Sequence, residues 1–220
     1  MLLLSTPAYN ENVPATQPYH HGNLRHALLD AAIRLIAEVG PAGFTLREVA
    51  RRAGVSHNAP YRHFRDRDDL MAAVAAQGFR ELTKAMVRGA EGLAPARDRL
   101  KQAGLAYVRY ALRRPQHFTV MFDAPSFTDT EHPDSAEAGE RAFGTLVNFV
   151  EACQKEGTLS SVDTLQLALL AWSTVHGIAK LAIAGRLPFR TKAEIFNFAS
   201  FVIDHSLCGT GLPEPSGRPS

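Results

Sequence analysis

Apolar residues recur along this chain at the spacings of helices. Leu24, Leu28, Ala31, Ala32, Leu35, Ile36 and Val39 share one face of a first helix over 23–39, which Gly40 and Pro41 end. Thr45 with Glu48 three residues on is a capping box that opens a second helix. Its Leu46, Val49, Ala50 and Ala53 point inward, leaving Arg47, Arg51 and Arg52 to face elsewhere. Gly54 supplies a sharp turn, and Ser56 can cap a third helix running to about Phe64. Leu70, Val74, Gly78, Leu82 and Met86 line one side of a long helix over 67–88. Gly92 and Pro95 precede a helix with Leu100, Gly104, Tyr107, Val108 and Ala111 in register, stopped by Pro115. A short apolar piece over 116–122 and a polar loop over 123–133 follow. Asp134 with Glu137, Ser160 with Asp163, and Thr191 with Glu194 then read as capping pairs for the last three helices. The pattern is all-α, with about nine helices.

Two of these helices are too apolar for the periphery of a small domain. In the penultimate one, Leu165, Leu169, Trp172, His176, Ala179 and Ile183 form one face, and Leu167, Leu170, Ala171, Thr174, Ile178 and Leu181 another. A helix apolar nearly all round is buried on both sides: one against its own core, the other against a second subunit. The final helix, with Ile195, Phe196, Phe198, Ala199, Val202 and Ile203, has the same character. A homodimer through the last two helices is the expectation.

Composition adds little until it is localised. The 220 residues are 45% apolar, enough for a sizeable core, and the net charge is only +2. From position 47 to 67, however, six arginines (47, 51, 52, 62, 65 and 67) face two acids (Glu48 and Asp66), a local charge of +4. The third helix lies in this stretch, and His57, Asn58, Ala59, Tyr61, Arg62 and His63 stand where leucines would fill a core helix. Val55 and Phe64 are its natural anchors. Pro60 removes an amide at the fourth helical position, a loss tolerated only near a helix start. A helix, a glycine turn and a polar second helix make a helix-turn-helix, whose second helix enters the major groove of DNA. The competing reading is a purely structural three-helix domain with a solvated face.

The segments LREVARRAGVS and PYRHFRDRDDL, preceded by a first helix ending in glycine and then by Phe44-Thr45, resemble the N-terminal domain of the TetR family of transcriptional repressors. Asn58, Pro60 and Arg67 depart from the residues common there, so the operator sequence does not carry over, whereas the binding mode does. Prolines and small polar residues without periodicity make 1–19 a flexible arm, and glycine and proline after Cys208 make 209–220 a flexible tail; between them the resemblance implies a DNA-binding domain over 20–80 and a ligand-binding and dimerisation domain over 81–208. It places Thr45 and Arg47 near a phosphate, with Tyr61, His63 and Arg67 also on the backbone. Ser56, His57 and Asn58 are then candidates for base edges, since an asparagine amide pairs bidentately with adenine. It also implies dimerisation through the last two helices as a four-helix bundle.

Further along, Trp172 with His176-Gly177 resembles the WHG-type regulatory domain of one branch of these regulators. Indole and imidazole four residues apart lie on one helix face, and each needs a polar partner when buried. One reading is a ligand cavity holding an unknown small-molecule effector, lined by Trp172, His176, Tyr107, Tyr110, Phe118, Met121, Phe122 and Phe143. The duller one is aromatic core around a satisfied histidine.

Other chemistry has no visible seat. There is no GxSxG elbow, phosphate-binding glycine loop or HExxH, so the chain does not read as an enzyme, and no cofactor is implied. Adjacent His20 and His21 have no carboxylate or cysteine partner at ligand spacing, and no ligand set recurs at helical spacing around His117, His132 or His176, so metal sensing through those three stays open without support and no metal is assigned. The two cysteines, Cys153 and Cys208, lack a CxxC spacing, which fits reducing, cytoplasmic conditions. The opening MLLL is far shorter than a signal h-region, and no run of apolar residues is expected to span a membrane. The sequence thus reads as a homodimeric repressor released from palindromic double-stranded operator DNA by a small molecule. The alternative is a helical small-molecule-binding or interaction protein of the same fold without DNA-binding activity.

Overall fold

The computed structural model describes residues 21–123 and 131–208. The expected N-terminal arm, His20, the C-terminal tail and the middle of the 123–133 loop lie outside the described residues. Among the described residues, eight α-helices and one short 3-10 turn make up the regular structure: α1 (His21–Val39), α2 (Leu46–Arg52), the 3-10 turn (Pro60–Arg62), α3 (Arg67–Ala90), α4 (Ala96–Arg113), α5 (Pro115–Asp123), α6 (Pro133–Lys155), α7 (Thr164–Ile183) and α8 (Lys192–Cys208). The fold is all-α, as the periodicity predicts.

Two departures concern where helices begin. Asp134 does not cap α6, which starts at Pro133 behind His132. Its carboxylate instead takes a fork of hydrogen bonds from Arg80 on α3, at 2.8 and 3.0 Å. A cross-helix guanidinium satisfies both oxygens, which one local amide cannot do. Asp163, expected as the second member of a capping pair, is itself the N-cap of α7 and accepts from the Gln166 amide at 2.9 Å. The Thr191–Glu194 box is present, with the Glu194 amide 3.2 Å from Thr191 Oγ1 and the Thr191 amide 2.8 Å from Glu194 Oε2.

Helix α3 is the spine. It runs without a break past residue 80 and packs on α1, α4, α5 and α6. Leu70, Val74, Gly78, Leu82 and Met86 are all buried along it. Gly78 leaves room for Met121 of α5, because a Cβ there would meet Met121 Sδ at 2.5 Å. Where α5 meets α3 and α1, His117 is 3% exposed, and neither ring nitrogen has a hydrogen-bond partner among the described residues. Burial holds its pKa below the ordinary value of 6.5.

Helix α7 reaches the length and hydropathy of a membrane span, more than the sequence reading allowed. It packs against α4, α6 and α8, with Ala168 and Ala179 fully enclosed. Its other side is open: Leu165, Leu169, Leu170 and Leu181 are 41–53% exposed, and Phe201 on α8 is 58% exposed.

Candidate nucleic-acid interface and C-terminal cavity

The helix-turn-helix begins with its cap. The Thr45 amide donates to Glu48 Oε2 at 2.7 Å, and the Glu48 amide donates back to Thr45 Oγ1 at 3.3 Å. The Thr45 amide, then its hydroxyl, hold the Glu48 carboxyl below its usual pKa. Leu46, Val49 and Ala50 bury one side of α2, and Arg52 forks onto Glu38 of α1. That arginine therefore fastens α2 to α1. Arg47 and Arg51 are exposed. Gly54 turns the chain at φ +70°, a conformation costly for any side chain with a Cβ.

The continuous third helix expected from Ser56 to Phe64 does not form. Pro60 explains why: an α-helix capped at Ser56 would need the amide of residue 60 on the Ser56 carbonyl, and proline has none. The Ala59 amide takes that carbonyl instead at 2.9 Å, closing a tight turn. A new 3-10 turn starts at Pro60, whose carbonyl receives the amides of His63 and Phe64, each at 2.9 Å. Pro60 also has a fully buried side chain, so with Phe64 (2% exposed) it anchors the segment to the core. Ser56 contributes its carbonyl, not a side-chain cap.

This geometry pushes polar groups outward. Thr45, Arg47, Ser56, His57, Asn58 and Tyr61 are all exposed, and His63 is half-buried. Tyr61 has 51% of its surface open, a large aromatic side chain without a packing role to match its size. Arg67 differs from the expectation. Its Nη1 donates to the Pro41 carbonyl at 3.0 Å and its Nη2 to Asp68 at 3.1 Å, so it clamps the α1–α2 connection to the start of α3. Arg51 and Arg62 belong on the exposed surface but are absent from the expected contact set. The local charge tally contained them; the resemblance did not single them out.

In the C-terminal part, α3, α4, α5, α6, α7 and α8 line a partly open cavity of about 410 Å³, with the exposed Leu169 at its edge. Four of the eight aromatic and sulfur candidates line it: Tyr107, Phe122, Phe143 and Trp172. The other four stand behind the wall. Phe118 is fully buried and stacks on His176 with ring centroids 5.3 Å apart. Tyr110 and Met121 pack on each other near Gly78, with the hydroxyl 4.0 Å from the sulfur. His176 supports Tyr107 from outside the cavity, its Nδ1 2.8 Å from the phenol oxygen. Trp172 Nε1 donates to the same oxygen at 3.3 Å. Burial raises the phenol's pKa and, ahead of the nearby Lys180 charge, lowers that of His176, so both stay neutral near pH 7. Phe79, Met86, Gly139 and Leu146 also line the cavity, and no sequence signal separates such apolar residues from ordinary core.

Among the described residues no cluster of three or more histidine, cysteine or carboxylate groups can hold a metal ion. Cys153 is a free, buried thiol.

Comparison with known proteins finds matches at both ends of the chain. A family model described as bacterial regulatory proteins of the tetR family matches residues 28–74. A second, described as a tetracyclin repressor-like C-terminal domain, matches residues 100–205. The narrower WHG-type resemblance rests on Trp172, His176 and Gly177 themselves. The HTH-type transcriptional repressor Rv3405c of Mycobacterium tuberculosis is 41% identical over 58 residues, which are 26% of this chain and 31% of that protein. The match thus spans less than a third of the curated relative. A protein with unknown function from Rhodococcus sp. RHA1 superposes over 90% of this chain and 100% of its own, with a TM-score of 0.76 at 37% identity. The transcriptional regulator FadR from Bacillus subtilis, in complex with stearoyl-CoA, covers 84% of this chain and 98% of its own with a TM-score of 0.71. At 14% identity it shows the shared fold alone. With a helix-turn-helix matched at one end and a tetracyclin repressor-like domain at the other, the chain belongs to the TetR family of bacterial regulatory proteins.

Proposed function

We propose that the protein is a cytoplasmic homodimeric repressor that covers a palindromic operator and leaves it when a small molecule enters the C-terminal cavity. The observation that carries the DNA-binding half is the outward face of the helix-turn-helix: Asn58, His57, Tyr61, Arg47 and Arg62 exposed on a segment whose Pro60 and Phe64 are buried. Ser56, His57 and Asn58 read base edges. Thr45, Arg47, Tyr61 and His63 set register on phosphates, and Arg67 acts by positioning the α1–α2 connection, with its remaining N–H groups turned to the backbone.

Dimerisation through α7 and α8 accounts for their exposed leucines and Phe201. It would set the two reading segments about 34–36 Å apart, one turn of B-DNA. Helix α3 couples the two ends: Arg67 holds the α1–α2 connection, while Phe79, Leu82 and Met86 border the cavity. A ligand that favours one tilt of α3 shifts the population away from the DNA-competent spacing. That FadR, of the same fold, was solved with stearoyl-CoA supports a small-molecule effector here.

A gel shift on the protein's own upstream DNA tests this reading. Binding should be saturable, salt-dependent and lost with Tyr61→Ala or Asn58→Ala. If no palindromic fragment binds at low salt, or both variants bind like the parent, the alternative of a ligand-binding protein without DNA activity takes its place.

A further inference from the structure

We propose that the cavity selects an uncharged, mostly apolar molecule of at least about ten non-hydrogen atoms, carrying one hydroxyl or carbonyl group that is held at Tyr107. This rests on the reading of the cavity as the effector site. The size follows from a volume of about 410 Å³, room for about fourteen waters at about 30 Å³ each.

The charge restriction comes from the wall. Among the described lining residues none carries a carboxylate, amine, guanidinium or imidazole. The polar side chains there are Tyr107, Trp172, Thr174 and Ser206. Thr174 donates to the Leu170 carbonyl at 2.9 Å and Ser206 to the Ile203 carbonyl at 3.0 Å, so both hydroxyl protons are used within their own helices. Lys101 on α4 and Lys180 on α7 are committed to Asp204 and Asp123. A carboxylate or phosphate there would find no countercharge among the described lining residues, and an uncompensated ion in an apolar site is strongly disfavoured.

The polar hook is more permissive. Either the Tyr107 hydroxyl donates to His176 Nδ1 and offers its oxygen to a ligand hydroxyl, or Nδ1–H donates and the phenol O–H turns to a ligand carbonyl. The Trp172 bond to that oxygen, at 3.3 Å, is at the long end for N–H···O and yields readily. Rings of Phe118 and Phe122, 5.3 and 4.7 Å from the imidazole, hold His176 in place through either arrangement.

Trp172 is the chain's single tryptophan and lies in the wall, so its emission reports occupancy directly. The full-length protein is titrated at pH 7.5 with 1-decanol, 2-undecanone, butylbenzene, decanoate and decanoyl-CoA. The alcohol and ketone should bind saturably with affinities within about threefold of each other, and decanoate and decanoyl-CoA at least about 30-fold more weakly. Tyr107→Phe should weaken the alcohol and ketone about 3- to 10-fold and leave butylbenzene unchanged. Gly139→Leu should remove binding of every probe without lowering the melting temperature, since a Cβ there meets Phe79 no closer than 3.5 Å and the rest of the side chain occupies the cavity. Decanoate or decanoyl-CoA binding as tightly as decanol overturns the charge restriction and leaves the site reading intact. Equal weakening of butylbenzene by Tyr107→Phe overturns the hook. If no probe moves Trp172 emission, the site reading falls, and this inference with it.

Discussion

The two ends of this molecule hold their candidate sites in opposite ways. In the helix-turn-helix, the groups that matter point out of the fold and the residues between them anchor it: Asn58 and Tyr61 are exposed, Pro60 and Phe64 buried. In the C-terminal bundle the groups point inward, into a cavity walled by residues chemically identical to core. The first kind of site is written as an anomaly, polar and cationic residues where leucines belong. The second is a packing defect, and its residues look ordinary one by one.

The largest effect that separates the two ends is the loss of an anchor. Phe64→Ala should cost about 3–5 kcal/mol and abolish operator binding. Trp172 emission should still respond to a cavity ligand below the melting temperature. If both responses disappear together, the ends are one cooperative unit and the contrast fails. Next is the dimer face. Leu170→Glu with Phe201→Glu, both at exposed apolar positions, should convert the dimer to monomer by light scattering at micromolar concentration. Operator affinity falls with it, while cavity binding changes little.

Within the helix-turn-helix, Asn58→Ala should cost about 1–3 kcal/mol on the preferred operator and relax preference at one base pair. Arg47→Ala should weaken all sequences alike and reduce the salt slope by about 1. Binding isotherms on a set of single-base operator variants, each at several salt concentrations, separate these. Equal behaviour of the two variants would reject the division between reading tip and phosphate frame.

The smallest effect concerns His117. Its folded pKa is depressed by burial, with Glu81, Asp30 and Arg114 as the surrounding charges, so the unfolded chain takes up the proton first as pH falls below about 6.5. Stability is therefore full above that value and declines towards acid; His176, depressed in the same direction, adds to the slope. His117→Leu removes two buried nitrogens that have no partner among the described residues and should raise the melting temperature at pH 5 more than at pH 8. An unchanged difference between the two pH values would mean that His117 is not the titrating group.

The legibility of the sequence followed the same division as the sites. Capping signals placed α2 and α8 because a cap is a contact between residues three apart, and Thr45–Glu48 and Thr191–Glu194 both form it. The same signal misled at Asp134, whose carboxylate found Arg80 across the bundle. Pro60 stood out in the sequence as a missing amide, but its consequence, two tight turns in place of one helix with the ring itself buried, depended on what lay beneath it.

What the sequence determined by itself was what depends on short spacing: the helices, the caps, the glycine turn, the concentration of arginines and the family to which these motifs belong. Tertiary structure alone decided which arginines are spoken for, Arg52 by Glu38 and Arg67 by the Pro41 carbonyl, and which aromatic side chains see the cavity. It separated Trp172 and Tyr107, on the wall, from His176 and Phe118, behind it. The reason is physical: helical periodicity gives the direction of a side chain to within one face, whereas lining a cavity or standing just behind its wall is settled by a few ångströms of packing between helices distant in the chain.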